Sequence, residues 1–577
     1  MKYLKKIGVF FIVGILFTAC DFIAPEEFTL RTADQINDNW TYVPSLRLAP
    51  YAQLPNGYNN IGDGWLSNAT DESEHAWDNE SIQNFNFGNW SQYSNPDDVW
   101  ARNFKGIRQA NDFLLLTDTV TWIDYKLSNP TEYAKRVLLT NQYRYEMSFL
   151  KAFFYFELIK RYGGVPLVTN KLEYNGNADD LKSIKRASFE SCVNYITAQC
   201  DTAAKYLPIA IVAADNGSAS KGAALALKAR TLLYAASDLF NKAGNSDTLT
   251  GYVGGNRQQR WINAATACKA VLDMSTTGTV SATQPYKLHS DYRALFTLAA
   301  VVNSEVIFQR LMGNSNTFET NNYSVGFNKG QTGTCPSQNL VDAYEMSTGI
   351  PFDWSNPVHA ANPYANRDPR LGLTVVLNNT KYNGDTARIW QGGNHGLPLE
   401  HATKTGYYLK KYLTENLDIS TNKLAYKQWI YFRLAEVYLN YAEAMNEANG
   451  PDYVDATFPM SARVAINTVR GRTGVAMPAI PLGLTPDAFR LRVRNERRVE
   501  LAFEEHRYWD ARRWLLGATV LGGNLKGVTI IKTAPNTFTY TPKTVETRIY
   551  DAKMELYPIP NAEVVKSGGN IVQNPGW

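Results

Sequence analysis

Tyr145-Glu146-Met147-Ser148-Phe149-Leu150-Lys151-Ala152-Phe153-Phe154-Tyr155-Phe156 leads on to Arg161-Tyr162-Gly163-Gly164-Val165-Pro166-Leu167-Val168. The fold turns on how this stretch reads. Over residues 134–162 one broad face collects Leu138, Tyr145, Phe149, Phe153, Phe156, Leu158 and Ile159. That spacing predicts a long helix with a buried stripe. Gly163 and Gly164 can end such a helix, and Pro166 prevents it from resuming.

The same periodicity recurs on both sides. It predicts helices over 99–117, 187–206, 221–242, 259–274, 428–448, 461–471 and 486–515. Segment 221–242 alternates small residues (Ala223, Ala224, Ala226, Ala229, Ala235, Ala236) with Leu225, Leu227, Leu232, Leu233 and Tyr234. Small side chains let helices approach closely, so hairpins in series predict a mainly α, tetratricopeptide-like scaffold, although no strict repeat of about 34 residues aligns. From Trp40 to Asp98 the chain is dense in Asn, Gly, Asp and aromatics and reads as long ordered loops. Between 275 and 427 the helical signal fades into Gly, Asn and Thr, with short β-like runs such as Leu373–Leu377. This is a large irregular excursion from the scaffold, where binding sites tend to sit. The expected layout is a leader over 1–19, a tether over 20–40, loops and scaffold over 41–274, the excursion over 275–427 and a second scaffold segment over 428–577.

Lys2, Lys5 and Lys6 precede the apolar run Ile7 to Phe17, and Thr18-Ala19-Cys20 follows. A basic start, a short apolar stretch and small residues before a cut describe a secretory leader, too short for a spanning helix. A cysteine just after the cut resembles a bacterial lipobox, which makes Cys20 the expected lipidation site and a membrane surface the expected setting. Loss of 1–19 removes three lysines and no acid, leaving 55 Lys+Arg against 54 Asp+Glu, a balance of +1. That gives no electrostatic case for nucleic acid. Cys192, Cys200, Cys268 and Cys335 form no disulfide framework. Cys192 and Cys200 lie eight residues apart in one predicted helix, about 12 Å, beyond the roughly 7 Å a disulfide tolerates. Buried free thiols are expected.

Catalytic motifs are missing. The six histidines make no HExxH, and His395 with His401 is a weak metal pair. No GxSxG elbow, phosphate loop or GxGxxG occurs. The expected catalytic and metal sets are empty, no cofactor is implied, and a structural calcium ion leaves no legible motif. Segment 490–514, crowded with Arg490, Arg492, Arg494, Arg497, Arg498, Arg507, Arg512 and Arg513, could pass for a nucleic-acid helix. Glu496, Glu500, Glu504, Glu505 and Asp510 are spaced for ion pairs, however, and Leu501, Phe503, Trp509 and Trp514 need burial. A partly buried ion-pair network is expected there, and Arg433, Glu436 and Glu443 read as scaffold contacts.

Several segments together resemble one family. Besides the opening stretch they are Ala224-Leu225-Ala226-Leu227-Lys228-Ala229-Arg230, Asn366-Arg367-Asp368-Pro369-Arg370-Leu371, Phe432-Arg433-Leu434-Ala435-Glu436-Val437-Tyr438, Asn495-Glu496-Arg497-Arg498-Val499-Glu500-Leu501-Ala502-Phe503-Glu504 and Leu556-Tyr557-Pro558-Ile559-Pro560. In this order, spread over nearly the whole chain, they resemble the SusD/RagB family of Bacteroidetes outer-membrane lipoproteins. The resemblance implies a substrate-binding lipoprotein at the cell surface, not an enzyme. Tetratricopeptide-like helix pairs would carry an excursion that helps form the ligand face. The protein would cap a SusC-like TonB-dependent transporter as a hinged lid, with its helices toward that partner. Most members serve glycan import, and the RagB branch is associated with peptides.

A neutral sugar offers C–H faces that stack on aromatic rings and hydroxyls that need fixed donors and acceptors. Residues 51–100 interleave Trp65, Trp77, Phe85, Phe87, Trp90, Tyr93 and Trp100 with Asn68, Asp71, Glu72, Asn79, Asn84, Asn86 and Asn89. Trp100, at a helix start, reads as core, and Phe85 and Phe87 as one side of an extended segment. Trp77 and Trp90, flanked by Asp, Asn and Gly, are the better ligand candidates, with core placement as the alternative. Asp71, in the Asp71-Glu72 step, resembles a position where some family members contact ligand. Tyr323, Arg367, Trp390 and Tyr407 complete the expected set, and Arg367 has a salt-bridged turn as its structural alternative. The expected ligand face joins residues 60–95 to 315–410. An oligosaccharide receptor, a peptide receptor and a structural lid remain open.

Overall fold

A computed structural model describes residues 32–58, 61–170, 182–297 and 303–577. Cys20 and the expected leader lie outside the described residues. The main helices are α1 (Trp100–Leu116), α2 (Pro130–Tyr162), α3 (Phe189–Tyr206), α4 (Lys221–Ala236), α5 (Arg257–Leu272), α6 (Leu434–Asn449), α7 (Ala462–Arg470), α8 (Pro486–Glu500) and α9 (His506–Arg513). Each of α1 to α6 packs on the next, and α7 and α8 both pack on α6. The stack therefore continues from α5 to α6 although residues 273–433 intervene. The chain is mainly helical, as the periodicity predicts.

Local chemistry explains where the helices begin and end. Side chains of Asn129, Ser188, Ser220, Asn256, Ser461 and Thr485 each accept an N–H of the first turn of the helix they precede. Each such cap contributes about 1 kcal/mol. Pro130 and Pro486 open α2 and α8, where the missing N–H costs nothing. Helix α2 ends at Gly163 (φ +73°), whose backbone runs so close to Leu249 that a Cβ would lie 2.3 Å from the carbonyl oxygen. Gly106 lets α1 sit on α2, since a Cβ there would lie 2.4 Å from the Phe154 ring.

Three predicted helices are corrected. Residues 428–433 belong to a strand, Ala425–Arg433, paired antiparallel with Val306–Ser315. Its aromatic and β-branched side chains suit a pleated partner, which lies over a hundred residues upstream and is invisible to local periodicity. Segment 486–515 breaks between α8 and α9, with Phe503 and Glu505 both at φ +61°. Long-range donors replace the helical ones there. Tyr292 Oη–H and Arg433 Nη2 donate to the Glu500 carbonyl at 2.7 and 2.9 Å, and Lys411 Nζ to that of Ala502 at 2.8 Å. Helix α4 stops at Ala236, before a short turn of 3₁₀ helix at Asp238–Asn241. Residues Gln83–Asn86 are a helical turn, not an extended segment, so Phe85 is buried while Phe87 is exposed. Trp100 is core.

The arginines of the α8–α9 region are structural. Glu500 receives Arg370 Nη1 at 2.8 Å, Arg433 Nη1 at 2.8 Å and Arg472 Nη2 at 2.6 Å, all four side chains buried. Arg497 and Arg513 both reach Asp510, at 2.9 and 2.8 Å, and Arg513 also pairs with Glu443. Arg230 is bonded to Glu436. These pairs clamp the excursion, through Arg370, to the helical stack. Cys192, Cys200, Cys268 and Cys335 are buried free thiols. Among the described residues no helix is long and apolar enough to cross a membrane.

Candidate ligand-binding face

A three-residue strand, Ser73–His75, pairs antiparallel with Thr334–Pro336 and so fixes the first loop against the excursion. The pairing continues as Ala76 N–H donates to the Gly333 carbonyl at 2.8 Å. Trp77 follows, and its Nε1–H donates to the Gln331 carbonyl at 2.8 Å, which sets the plane of the indole. His401 lies on that plane, with centroids 3.7 Å apart and an interplanar angle of 6°. Trp77 and His401 are both partly exposed. Exposed Asp78 and half-buried Lys404 form an ion pair beside them. The outcome is a flat two-ring platform rimmed by the Asp78–Lys404 pair, with the exposed Glu400 carboxylate 3.6 Å from His401 Nε2.

A second aromatic group comes from a hairpin that local periodicity did not reveal. Strands Gly523–Ala534 and Thr537–Arg548 pair antiparallel around Asn536 (φ +58°). Phe538 and Tyr540 fall on one face of the second strand. Phe538 packs on Trp390 with centroids 5.2 Å apart, and Tyr540 on Tyr364 at 5.1 Å. Lys532 Nζ lies 4.8 Å from the Trp390 ring centroid. Val528 N–H donates to the Thr405 carbonyl at 2.8 Å, and Gln391 N–H to that of Ile530 at 2.9 Å. Residues 528 and 530 are about 7 Å apart along a strand, so the Trp77–Lys404 and Trp390 neighbourhoods hang from one edge. Gly406 and Gly527 permit this approach, because a Cβ on either would fall 2.7 Å from the opposing segment. The run Gly527-Val528-Thr529-Ile530-Ile531-Lys532-Thr533, followed by Pro535-Asn536, is the signal that could have announced the hairpin.

The electrostatics beneath the platform are those of buried acids. Burial, then the charge of Glu546, pushes the Glu74 carboxyl up to about 7, and its Oε2 has no hydrogen-bond partner. Burial likewise pushes Glu72 up to about 8. Asp71 goes the other way. Burial opposes its ionisation, but Arg498 at 2.7 Å and Arg507 at 2.8 Å outweigh it and hold the carboxyl below its ordinary range. That ion-paired position, with little exposure, corrects the expectation of Asp71 as a ligand contact.

Four other expected contacts are corrected by burial. Trp90 is 4% exposed and packs between Phe85, Tyr557 and Trp577. Tyr323 is buried, its hydroxyl donating to the Thr414 carbonyl. Tyr407 is buried and bonded to Gln338 and Tyr364. Arg367 is buried and spends its guanidinium on the carbonyls of Val341, Tyr344 and Pro363, over the Phe352 ring, while the ion pair of that turn belongs to Arg370 and Asp368. Each is amphipathic, and composition cannot tell a satisfied interior polar tip from an exposed one. Trp77 and Trp390 remain at the surface.

One arrangement resembles a catalytic set. Ser324 Oγ lies 2.5 Å from His395 Nδ1, and His395 Nε2 lies 4.0 Å from Asp385 Oδ2. Ser324 is wholly buried, so a nucleophile there would meet no substrate. Burial also lowers the pKa of His395. Among the described residues no group of three His, Cys, Asp or Glu side chains could hold a metal ion.

Comparison with known proteins agrees with this architecture. Residues 304–577 match the model of the SusD family, and residues 52–233 match a model described as starch-binding associating with outer membrane. A SusD-like protein of Formosa agariphila is 22% identical over 393 residues. That match spans 64% of this chain and 63% of the relative. The crystal structure of a SusD-like protein from Bacteroides fragilis NCTC 9343 superposes with a TM-score of 0.75 at 26% identity, covering 94% of this chain and 98% of that one. A SusD-like carbohydrate binding protein from the same organism superposes with a TM-score of 0.72 at 24% identity, covering 92% and 99%.

Proposed function

This chain belongs to the SusD/RagB family, and from that premise we propose that it is a cell-surface lipoprotein, anchored through Cys20. In this reading it captures oligosaccharides and hands them to a SusC-like TonB-dependent transporter of the outer membrane, without chemistry of its own. The observation that carries the reading is the Trp77–His401 stack, held by Gln331 and flanked by the mutually neutralising Asp78 and Lys404. A pyranose can lay its C–H face on such a platform and its hydroxyls on the ion pair at the rim. Trp390, packed against Phe538 of the hairpin, offers a second stacking point for a chain of several sugar units.

The test is calorimetry of soluble residues 21–577 against neutral and acidic oligosaccharides, with peptide mixtures alongside. Glycan binding between micromolar and millimolar is expected, roughly −8 to −4 kcal/mol. Losing an aromatic anchor costs about 2 kcal/mol, so Trp77→Ala should weaken binding roughly 30-fold. Unchanged glycan affinity in Trp77→Ala/Trp390→Ala would sink the placement. Binding of peptides alone would move the protein to the RagB type of ligand.

A further inference from the structure

A second polar groove lies away from this platform and shares no residue with it. It encloses about 510 Å³, within the range of small-ligand sites. One wall is the turn 91–95 with Asp98, and the other is formed by residues 558 and 560–562. Tyr93 stands at its edge with 75% of its surface exposed, the most exposed aromatic side chain among the described residues. An exposed phenol ring that packs on nothing is a flat apolar face without an internal purpose.

The groove is built rather than incidental. Ser91 and Ser94 exchange backbone hydrogen bonds of 2.9 and 3.2 Å, closing the turn on itself. Asn561 N–H donates to the Gln92 carbonyl at 3.0 Å, and Gln573 Nε2 to Gln92 Oε1 at 3.0 Å, which ties one wall to the other. Asp98 Oδ1 accepts the Trp100 N–H at 3.0 Å, which fixes that carboxylate at the start of α1. Beneath, Trp90 wedges between Tyr557 and Trp577, so the buried tryptophan serves as the footing of this groove. The side-chain amide of Asn561 makes no hydrogen bond to the described residues.

From this geometry we infer that the groove is a second saccharide site, for a neutral glycan unit stacked on Tyr93. Hydroxyls would be read by the Asn561 amide, Ser94 and the Asp98 carboxylate. Three features select that ligand. The lining holds carboxylate but no cation, so a uronate or sulfate would be repelled. Its donors and acceptors sit beside an aromatic plane, which suits a polyhydroxylated ring. The closed turn leaves no strand edge along which a peptide could pair. The inference takes only its ligand class from the proposed function. Two sites on one rigid body would favour a long chain over a short one by raising the effective concentration of the second contact.

The test uses soluble residues 21–577 with maltohexaose, laminarihexaose, cellohexaose and xylohexaose, and with tetragalacturonate and tetraproline as counter-probes. In Trp77→Ala/Trp390→Ala, binding of at least one neutral hexasaccharide should persist, and adding Tyr93→Ala should raise its Kd at least tenfold. Tyr93→Ala touches no packed contact, so its circular dichroism should match the parent's. Asn561→Ala, whose side chain is outside the core, should act in the same direction. Residual binding that ignores Tyr93→Ala overturns the inference, as does the absence of residual binding or a Tyr93-dependent response to tetragalacturonate or tetraproline instead. Loss of all binding in Trp77→Ala/Trp390→Ala removes this second site and leaves the first intact. Binding unaffected by that pair but abolished by Tyr93→Ala does the reverse.

Discussion

Glu500→Gln is the most informative perturbation of the scaffold. Glu500 Oε1 accepts from Arg433 Nη1 and Arg472 Nη2, and Oε2 from Arg370 Nη1, at 2.6 to 2.8 Å. Glutamine keeps the volume but has a single acceptor oxygen. If that oxygen serves Arg433 and Arg472, the new NH₂ faces the Arg370 guanidinium, donor against donor. A charged hydrogen bond worth about 1.5–3 kcal/mol is lost outright, and two more weaken. Three buried guanidiniums also lose a shared counter-charge, and breaking a buried pair costs about 3–5 kcal/mol. Arg370 retains Asp368 and Glu496, and Arg433 retains Glu504 and Glu305. We therefore expect a net loss of about 4 kcal/mol, a large share of the roughly 5–15 kcal/mol that holds a folded protein together. Urea unfolding of soluble residues 21–577, followed by tryptophan fluorescence, should show a lower midpoint at unchanged slope.

The pH dependence gives a second handle on the same change. Burial opposes ionisation of Glu500, but Arg472, Arg433 and Arg370 outweigh it and hold the carboxyl far below its ordinary value of 4.5. A carboxylate depressed by folding contributes stability that is present above the unfolded pKa and lost as pH falls through the folded one. The gap between parent and Glu500→Gln should thus be full at pH 7 and narrow below about pH 4.5. A gap under about 1 kcal/mol at pH 7, or one that stays constant down to pH 3, would refute this account of the network.

Two further predictions concern the acids under the platform and the thiols. The Glu74 carboxyl is raised to about 7 by burial and by Glu546, so its contribution is present below its unfolded pKa and lost as pH rises through 7. Glu74→Gln should accordingly match the parent at pH 4 and exceed it by about 3 kcal/mol at pH 8; equal urea midpoints at pH 8 would contradict this. Burial pushes the Cys192 thiol up to about 11 and the Cys335 thiol up to about 12, and all four described cysteines are buried. Soluble residues 21–577 should give no fast reaction with a thiol reagent at pH 8 when native and four equivalents in denaturant. A rapidly reacting thiol in the native protein would show that one of these sites is accessible.

What the sequence by itself determined was set by forces acting over a few residues. Helical stripes and the Gly163-Gly164 stop before Pro166 are local signals, and they are enough to announce a mainly α stack. The crowding of Arg with Glu over 490–514 announced ion pairing, but of the intrahelical kind that spacing three and four apart allows. Arg513–Asp510 is such a local pair, whereas Glu500 pairs with Arg370, Arg433 and Arg472, and Asp71 with Arg498 and Arg507. What only the tertiary structure decided depends on partners far along the chain. Residues 428–433 are a strand because Val306–Ser315 lies beside them. Helices α8 and α9 are separate because Tyr292, Lys411 and Arg433 take over carbonyls that a continuous helix would have used. The ligand face followed the same division. Composition marked the aromatics of 51–100 and 315–410, but it could not tell Trp77, stacked on His401, from Trp90, enclosed by Tyr557 and Trp577. Exposure is a property of the whole surface: an indole is equally apolar on a platform and in a core, and only the packing of distant segments settles which it becomes.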